Sequence, residues 1–211
     1  MRFLLTFIGV SLLAMSQAQS PKPVHVCIST SLGEIEVELD AARAPATTAN
    51  FLKYVDGGFY TNGVFHRTVT MLPDNQPTNT VKIEVIQGGV TPAGADPARE
   101  KGGSPPIALE RTNKTGLKHV DGAISMARDG PDTATSDFFI CIGDQPELDF
   151  AGKRNPDGQG FAAFGRVTKG MDVVRKIQKA PSRGQKLIPP VTILKIERIE
   201  SAEVAPRPGT C

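Results

Sequence analysis

One short segment with strictly alternating residues constrains the fold more than any other feature of the chain. Its apolar residues Ile35, Val37 and Leu39 alternate with glutamates. A period of two places apolar side chains on one face of a β-strand and charged side chains on the other, so this strand has one buried and one solvated face. An apolar segment, residues 24–30, precedes it across Ser31-Leu32-Gly33, which predicts a β-hairpin.

The rest of the chain contains further short apolar segments separated by turn-forming residues. Candidate strands are residues 64–69, 82–87, 106–109, 122–127, 138–142, 161–167 and 191–199. Only two segments, about 45–56 and 171–179, have helical spacing, and the first begins with a proline, which suits the first turn of a helix. Many short strands with two helices predict a mainly-β protein, either an antiparallel barrel or a sandwich.

The N-terminus has the layout of a secretory signal peptide. A positive start, Met1-Arg2, is followed by an apolar run from Phe3 to Met15 and by small residues at Ser16 and Ala18. A membrane anchor is the alternative, but the run is shorter than the roughly 20 apolar residues that span a bilayer. We therefore predict a signal peptide at 1–18, cleaved after Ala18, and a periplasmic or secreted protein without a membrane anchor.

Length, charge and cysteine content limit the remaining possibilities. The 211 residues suit one domain, predicted at 19–200, followed by a flexible tail at 201–211. A formal net charge of +2 gives no electrostatic footprint for nucleic acid. The three cysteines are too few for a disulfide framework, although Cys27 and Cys141 can form a bridge while Cys211 is expected to be free. No metal-binding motif occurs, so we expect no metal and no cofactor. We also expect a monomer, because nothing in the sequence demands a larger assembly.

Five sequence blocks carry the functional signal. In chain order they are Phe65-His66-Arg67, Gln87-Gly88-Gly89, Ser125-Met126-Ala127, Phe138-Phe139-Ile140 and Phe164-Gly165 with Val167. Their order closely resembles the pattern of the cyclophilins, and the resemblance extends from residue 24 to about 199. It implies a closed eight-stranded antiparallel β-barrel capped by two α-helices. It also implies peptidyl-prolyl cis–trans isomerase activity on proline-containing polypeptides.

The resemblance further implies roles for individual residues. It makes Arg67 the catalytic residue and Gln87 the polar neighbour that positions the substrate. The other residues assigned to substrate binding are Phe139, Leu148, Phe161, Val85, Ala127, Arg128 and His66. The first four would form the apolar pocket for the proline ring, and Ala127 and Arg128 would contact the preceding peptide. A structural role is favoured for His66, as it is for the other two histidines.

The chemistry explains why these residue types suffice. Rotation about an X–Pro bond crosses a barrier of roughly 18–20 kcal/mol because resonance gives the C–N bond partial double-bond character. The twisted transition state loses that resonance, so the prolyl nitrogen becomes a better hydrogen-bond acceptor. A guanidinium directed at this nitrogen stabilises the transition state more than either planar isomer, which is the condition for catalysis. No nucleophile, metal or cofactor is required.

The chain departs from the family pattern around the predicted groove. The arginine and the glutamine lie twenty positions apart, more than twice the usual spacing, so 71–80 is predicted to form an extra loop, with a second insert at 153–160. Charged residues, Arg128 and Asp137, replace polar ones of the family. These changes leave open an alternative from another class, a non-catalytic proline-peptide binding module or chaperone. The retained Arg67 favours the isomerase.

Overall fold

A computed structural model describes residues 23–90 and 104–200, so the predicted signal peptide, 1–18, and the predicted tail, 201–211, lie outside the described residues. The strands are β1 Val24–Thr30, β2 Gly33–Leu39, β3 Gly63–Val69, β4 Val85–Gly89, β5 Ala123–Met126, β6 Phe138–Cys141, β7 Ala162–Lys169, β8 Ser182–Arg183 and β9 Lys186–Ile199. The helices are α1 Pro45–Asp56, α2 Thr112–Thr115 and α3 Met171–Gln178, with a 3₁₀ turn at Pro146–Leu148.

The strands form a closed antiparallel barrel. Neighbouring strands follow the order β1-β2-β7-β5-β6-β4-β3-β9, and the second half of β9, residues 193–199, pairs back onto β1. Eight strands therefore close the ring, while the two-residue β8 pairs only with β9. Closure leaves these eight strands without a free edge. The predicted closed eight-stranded barrel is confirmed, with one short extra strand.

The predicted β1–β2 hairpin forms with its apolar residues in register. Ile28 faces Ile35 and Val26 faces Val37 across the pair, and all four side chains are fully buried. The glutamates of β2 point the other way, where Glu36 binds Lys169 Nζ at 2.8 Å. The alternation in the sequence thus decides which face of the hairpin enters the barrel.

Two hydrophobic clusters lie on opposite faces of the sheet. The larger one fills the barrel and includes Phe51 of α1, whose ring lies 5.5 Å from that of Phe138. The smaller one contains Phe139, Val85 and Leu148. Adjacent residues of one strand point to opposite faces, so Phe138 belongs to the core while Phe139 belongs to the second cluster. The second cluster forms the floor of a surface groove.

Three predicted strand boundaries need correction. Residues 106–109 form no strand, and only Ile107 makes an isolated bridge, to Ala134; the prolines immediately before Ile107 have no N–H to donate to a ladder. β4 starts at Val85 and not at 82, because the side chain of Gln76 satisfies the backbone of Ile83. The last strand begins five residues before 191, at Lys186, where it pairs with β3.

The cysteines differ from the predicted bridge. Cys27 is disulfide-bonded, whereas Cys141 is a free thiol at the end of β6. A Cys27–Cys141 bridge is therefore wrong, and Cys211 lies outside the described residues. Burial of Cys141 raises the pKa of its thiol, which makes the reactive thiolate unfavourable.

No helix in the two described segments is long and apolar enough to cross a membrane.

Candidate active site

A cavity of about 500 Å³ lies over the second hydrophobic cluster. Strands β3, β4 and β6 contribute residues to it, together with the segment after β5 and the region around the 3₁₀ turn. Of the residues predicted for the site, those that line it are Arg67, Gln87, Val85, Phe139, Leu148, Phe161, Ala127 and Arg128. The fold therefore brings together eight residues that are spread over almost a hundred positions of the sequence.

Arg67 is held by two glutamines. It lies opposite Gln87 in the β3–β4 register, and its Nη1 donates to Gln87 Oε1 at 2.8 Å. Its Nε donates to Gln185 Oε1 at 2.8 Å. Among the described residues no acceptor binds Nη2, so this donor is available to a ligand. Burial lowers the pKa of Arg67, and the charge of Arg154 lowers it further, but a guanidinium stays protonated in proteins.

Gln87 is itself oriented by a carboxylate. Its Nε2 donates to Asp137 Oδ2 at 3.1 Å, which turns its amide oxygen towards Arg67. His66 Nε2 lies 3.5 Å from the same carboxylate oxygen. His66 does not line this cavity; it points to Asp137 and, with Arg67, borders a second cavity beside β9. Its contact with substrate therefore stays a prediction.

The apolar part of the cavity is a rigid corner of aromatic rings. Phe139 and Phe161 meet edge to face with centroids 5.3 Å apart and planes at 89°. His119 stacks on Phe139 at 5.9 Å, and its ring nitrogens contact Asp149 Oδ1 at 2.8 Å and Ser125 Oγ at 3.0 Å. A buried, hydrogen-bonded imidazole thus fixes the orientation of Phe139. This corner can accept a small apolar ring.

Arg128 lines the cavity, but its guanidinium is bound within the protein. Its side chain is only 1% exposed, and Nη1 and Nη2 bind the carboxylate of Asp157 at 2.8 and 3.0 Å. Its Nε also donates to Gly160 O at 2.8 Å, and the guanidinium lies 5.0 Å from the centre of the Phe161 ring. These hydrogen bonds lower the pKa of Asp157. Arg128 therefore holds the second insert and Phe161 in place, and its charge is already neutralised.

Both inserts reach the cavity. Gln76 of the first insert is fully buried, and its Nε2 donates to Thr70 O and Ile83 O, each at 2.8 Å. Arg154 of the second insert donates from Nη1 to Gln76 Oε1 at 3.0 Å and lines the cavity. Neither Arg154 nor Gln185 was predicted, because neither lies in a recognisable block. The only sequence signal for Arg154 is its position inside an insert.

No three His, Cys, Asp or Glu side chains cluster in a metal-binding arrangement anywhere in residues 23–90 and 104–200. The cavity instead combines an apolar corner with Arg67, an arginine that two glutamines hold. A closed antiparallel barrel with such a corner beside an arginine donor defines the structural class of the protein.

Comparison with known proteins agrees with this class. The family model for cyclophilin type peptidyl-prolyl cis-trans isomerase/CLD matches residues 25–198. The chain is 38% identical over 172 residues to peptidyl-prolyl cis-trans isomerase A of Dickeya dadantii (strain 3937), which covers 81% of this chain and 80% of that protein. It is 37% identical over 155 residues to peptidyl-prolyl cis-trans isomerase B of Escherichia coli (strain K12), with 72% and 83% covered.

A solved structure shows the same fold. The crystal structure of a Cryptosporidium parvum cyclophilin type peptidyl-prolyl cis-trans isomerase in the presence of the dipeptide Ala-Pro superposes with a TM-score of 0.64 at 25% identity, covering 84% of this chain and 99% of that one. The chain belongs to the cyclophilin-type peptidyl-prolyl cis–trans isomerase family.

Proposed function

We propose that this chain accelerates rotation about X–Pro bonds by donating a hydrogen bond from Arg67 to the prolyl nitrogen. The observation that carries the proposal is the position of Arg67: two glutamines hold its guanidinium at the edge of an apolar corner and leave Nη2 unbound within the described residues. The proline ring enters the corner formed by Phe139, Leu148, Phe161 and Val85. No covalent step takes place.

The proposed mechanism depends on a donor that is already in place before rotation begins. A donor that must reorganise during the reaction stabilises the transition state less than one that the fold already holds. The apolar corner assists, because the planar amide is more polar than the twisted one and loses more solvation there. Removing one preorganised charged donor from such a site typically costs about 2.7–4 kcal/mol, or 100- to 1000-fold in rate.

We also propose that the substrates are exported polypeptides, whose folding slow X–Pro rotation can limit. The signal-peptide pattern at residues 1–18 supports this assignment. The enzyme would act as a monomer formed by residues 19–200, because the groove is complete within one chain. No metal or cofactor takes part in the proposed reaction.

The decisive experiment measures cis–trans exchange of a short Ala-Pro peptide by NMR line shape, with the mature chain and its Arg67→Ala variant. We expect a loss of at least about 100-fold in kcat/KM for the variant. Arg166→Ala is the matched control, because Arg166 is 67% exposed on β7 and outside the cavity. If the wild-type protein binds the peptide without accelerating exchange, and Arg67→Ala binds it equally well, the groove is a recognition module and not an isomerase.

A further inference from the structure

The cavity contains a second guanidinium that the proposed reaction does not use. Arg154 lines the same cavity as Arg67, and the two are close enough for the charge of one to lower the pKa of the other. Arg154 Nη1 donates to two neutral acceptors, Gln76 Oε1 at 3.0 Å and Val81 O at 2.6 Å. Its position is therefore built by both inserts and is not that of a loose surface side chain.

Neither of these two arginines has a carboxylate partner. Within the described residues no Asp or Glu oxygen lies within 4.0 Å of a guanidinium nitrogen of Arg67 or Arg154. The third arginine of the cavity, Arg128, shows the contrast, since Asp157 binds it through both oxygens. A half-buried guanidinium without a counter-ion keeps a positive potential in the cavity, because desolvation weakens its screening.

Two carboxylates also line the cavity, those of Asp137 and Asp129. The side chain of Asp137 sits against Gly89, the last residue of β4, and binds Gln87 and His66. Asp129 is exposed. Neither forms an ion pair with Arg154.

A backbone contact also holds Arg154. Its Nη1 donates to the carbonyl of Val81, four residues before β4 begins. Asp137 instead contacts Gln87 and Gly89 within β4. The two side chains therefore contact different parts of the cavity wall.

We propose that Arg154 forms a subsite for the carboxylate of an Asp or Glu residue next to the substrate proline. A guanidinium offers a planar set of donors that matches a carboxylate, and the neutral acceptors occupy only Nη1, leaving Nε and Nη2 for the substrate. The preference rests on the proline binding in the proposed function, because it places the acidic residue relative to a proline bound beside Phe139. A carboxylate placed beside Asp137 instead would be disfavoured by like-charge repulsion.

The test compares matched peptides that carry Glu, Gln or Lys immediately before the proline or immediately after it. For wild-type protein we expect kcat/KM to be about tenfold higher with Glu than with Gln at one of these positions, and lower with Lys. The Glu/Gln ratio should approach one in Arg154→Gln, remain above one in Arg154→Lys, and fall with added salt. Arg166→Gln, outside the cavity, should keep the wild-type ratio.

Peptide affinities from NMR titration separate this proposal from the proposed function. If no peptide is isomerised but Glu peptides still bind more tightly than Gln peptides through Arg154, the isomerase proposal fails and the subsite stands. An equal response to Glu and Gln in wild-type protein overturns the subsite, as does a Glu preference that survives in a folded Arg154→Gln variant. A thermal melt of each variant shows whether it is folded.

Discussion

Gln185 is the residue whose removal most directly tests how Arg67, the proposed catalytic arginine, is held. Its Oε1 accepts from Arg67 Nε at 2.8 Å, and its Nε2 donates to Asn75 O at 2.9 Å. The residue thus connects Arg67 to the first insert. In the variant Gln185→Ala the guanidinium keeps Gln87 as its one remaining side-chain acceptor. We predict that the arginine then samples orientations in which it does not reach the prolyl nitrogen.

The magnitude follows from the bonds that are lost. A hydrogen bond to a charged group contributes about 1.5–3 kcal/mol. The upper limit is the loss of Arg67 itself, about 2.7–4 kcal/mol. Because Gln87 still restrains Nη1, Gln185→Ala should cost roughly 1.4–2.7 kcal/mol, which is a decrease of about 10- to 100-fold in kcat/KM. Gln185→Glu keeps an acceptor for Arg67 and should lose less.

The assay is again cis–trans exchange by NMR, measured in a double-mutant cycle with Arg67→Ala. A residue that acts through Arg67 has little left to contribute once Arg67 is gone, so Gln185→Ala should change kcat/KM by less than about threefold in the Arg67→Ala background. Gln159→Ala is the matched control, because Gln159 Oε1 also accepts from an arginine Nε, that of Arg111, but Arg111 does not line the cavity as Arg67 does.

Two outcomes would refute this reasoning. The first is an equal loss of activity for Gln185→Ala in the wild-type and Arg67→Ala backgrounds, which would mean that Gln185 only supports the structure of the groove. The second is wild-type activity in a folded Gln185→Ala variant. In that case Gln87 alone would hold the guanidinium, and the connection through Asn75 to the first insert would have no part in catalysis.

Two further predictions concern stability and the cysteines. Burial alone would raise the pKa of Asp149, but hydrogen bonds from His119 and the charges of His119 and Lys118 lower it below its ordinary value. Its contribution to stability is therefore complete above pH ~4 and is lost as the pH falls through the lowered pKa. The free energy of unfolding, measured with denaturant from pH 2 to 7, should depend less on acid pH in Asp149→Asn than in the wild-type protein. An unchanged pH profile would contradict this. The second prediction is tested by alkylation in denaturant without reductant, followed by peptide mass spectrometry. Cys141 should be labelled, and Cys27 should stay unlabelled until a reductant is added. Labelling of Cys27 before reduction would contradict its disulfide.

The local patterns of the sequence were sufficient to predict a mainly-β barrel or sandwich, and the resemblance to the cyclophilins added the closed barrel and the residues of its groove. Alternation in β2 decides which face is buried, and α1 has the predicted bounds because Pro45 starts it and glycines follow it. Short-range patterns of this kind depend only on the backbone period and on capping chemistry, which a sequence displays directly. Blocks such as Phe65-His66-Arg67 indicated the family, and the resemblance to that family predicted eight of the residues that line the cavity.

The tertiary structure decided which charges the groove offers to a substrate. Arg128 was expected to face the peptide, but Asp157, 29 positions away, takes its charge. Arg154 enters the cavity because the side chain of Gln76, 78 positions away, holds it there, and Gln185 reaches Arg67 across 118 positions. Such contacts depend on loop conformations that side-chain to backbone hydrogen bonds determine, and no periodicity in the sequence records them. The sequence alone determined the mainly-β fold through its local period, and its motifs, through the resemblance to the cyclophilins, determined the closed barrel and the arginine at its groove. The pairing of charges depended on the folded loops, because the residues that the fold places beside a charge decide whether it is neutralised.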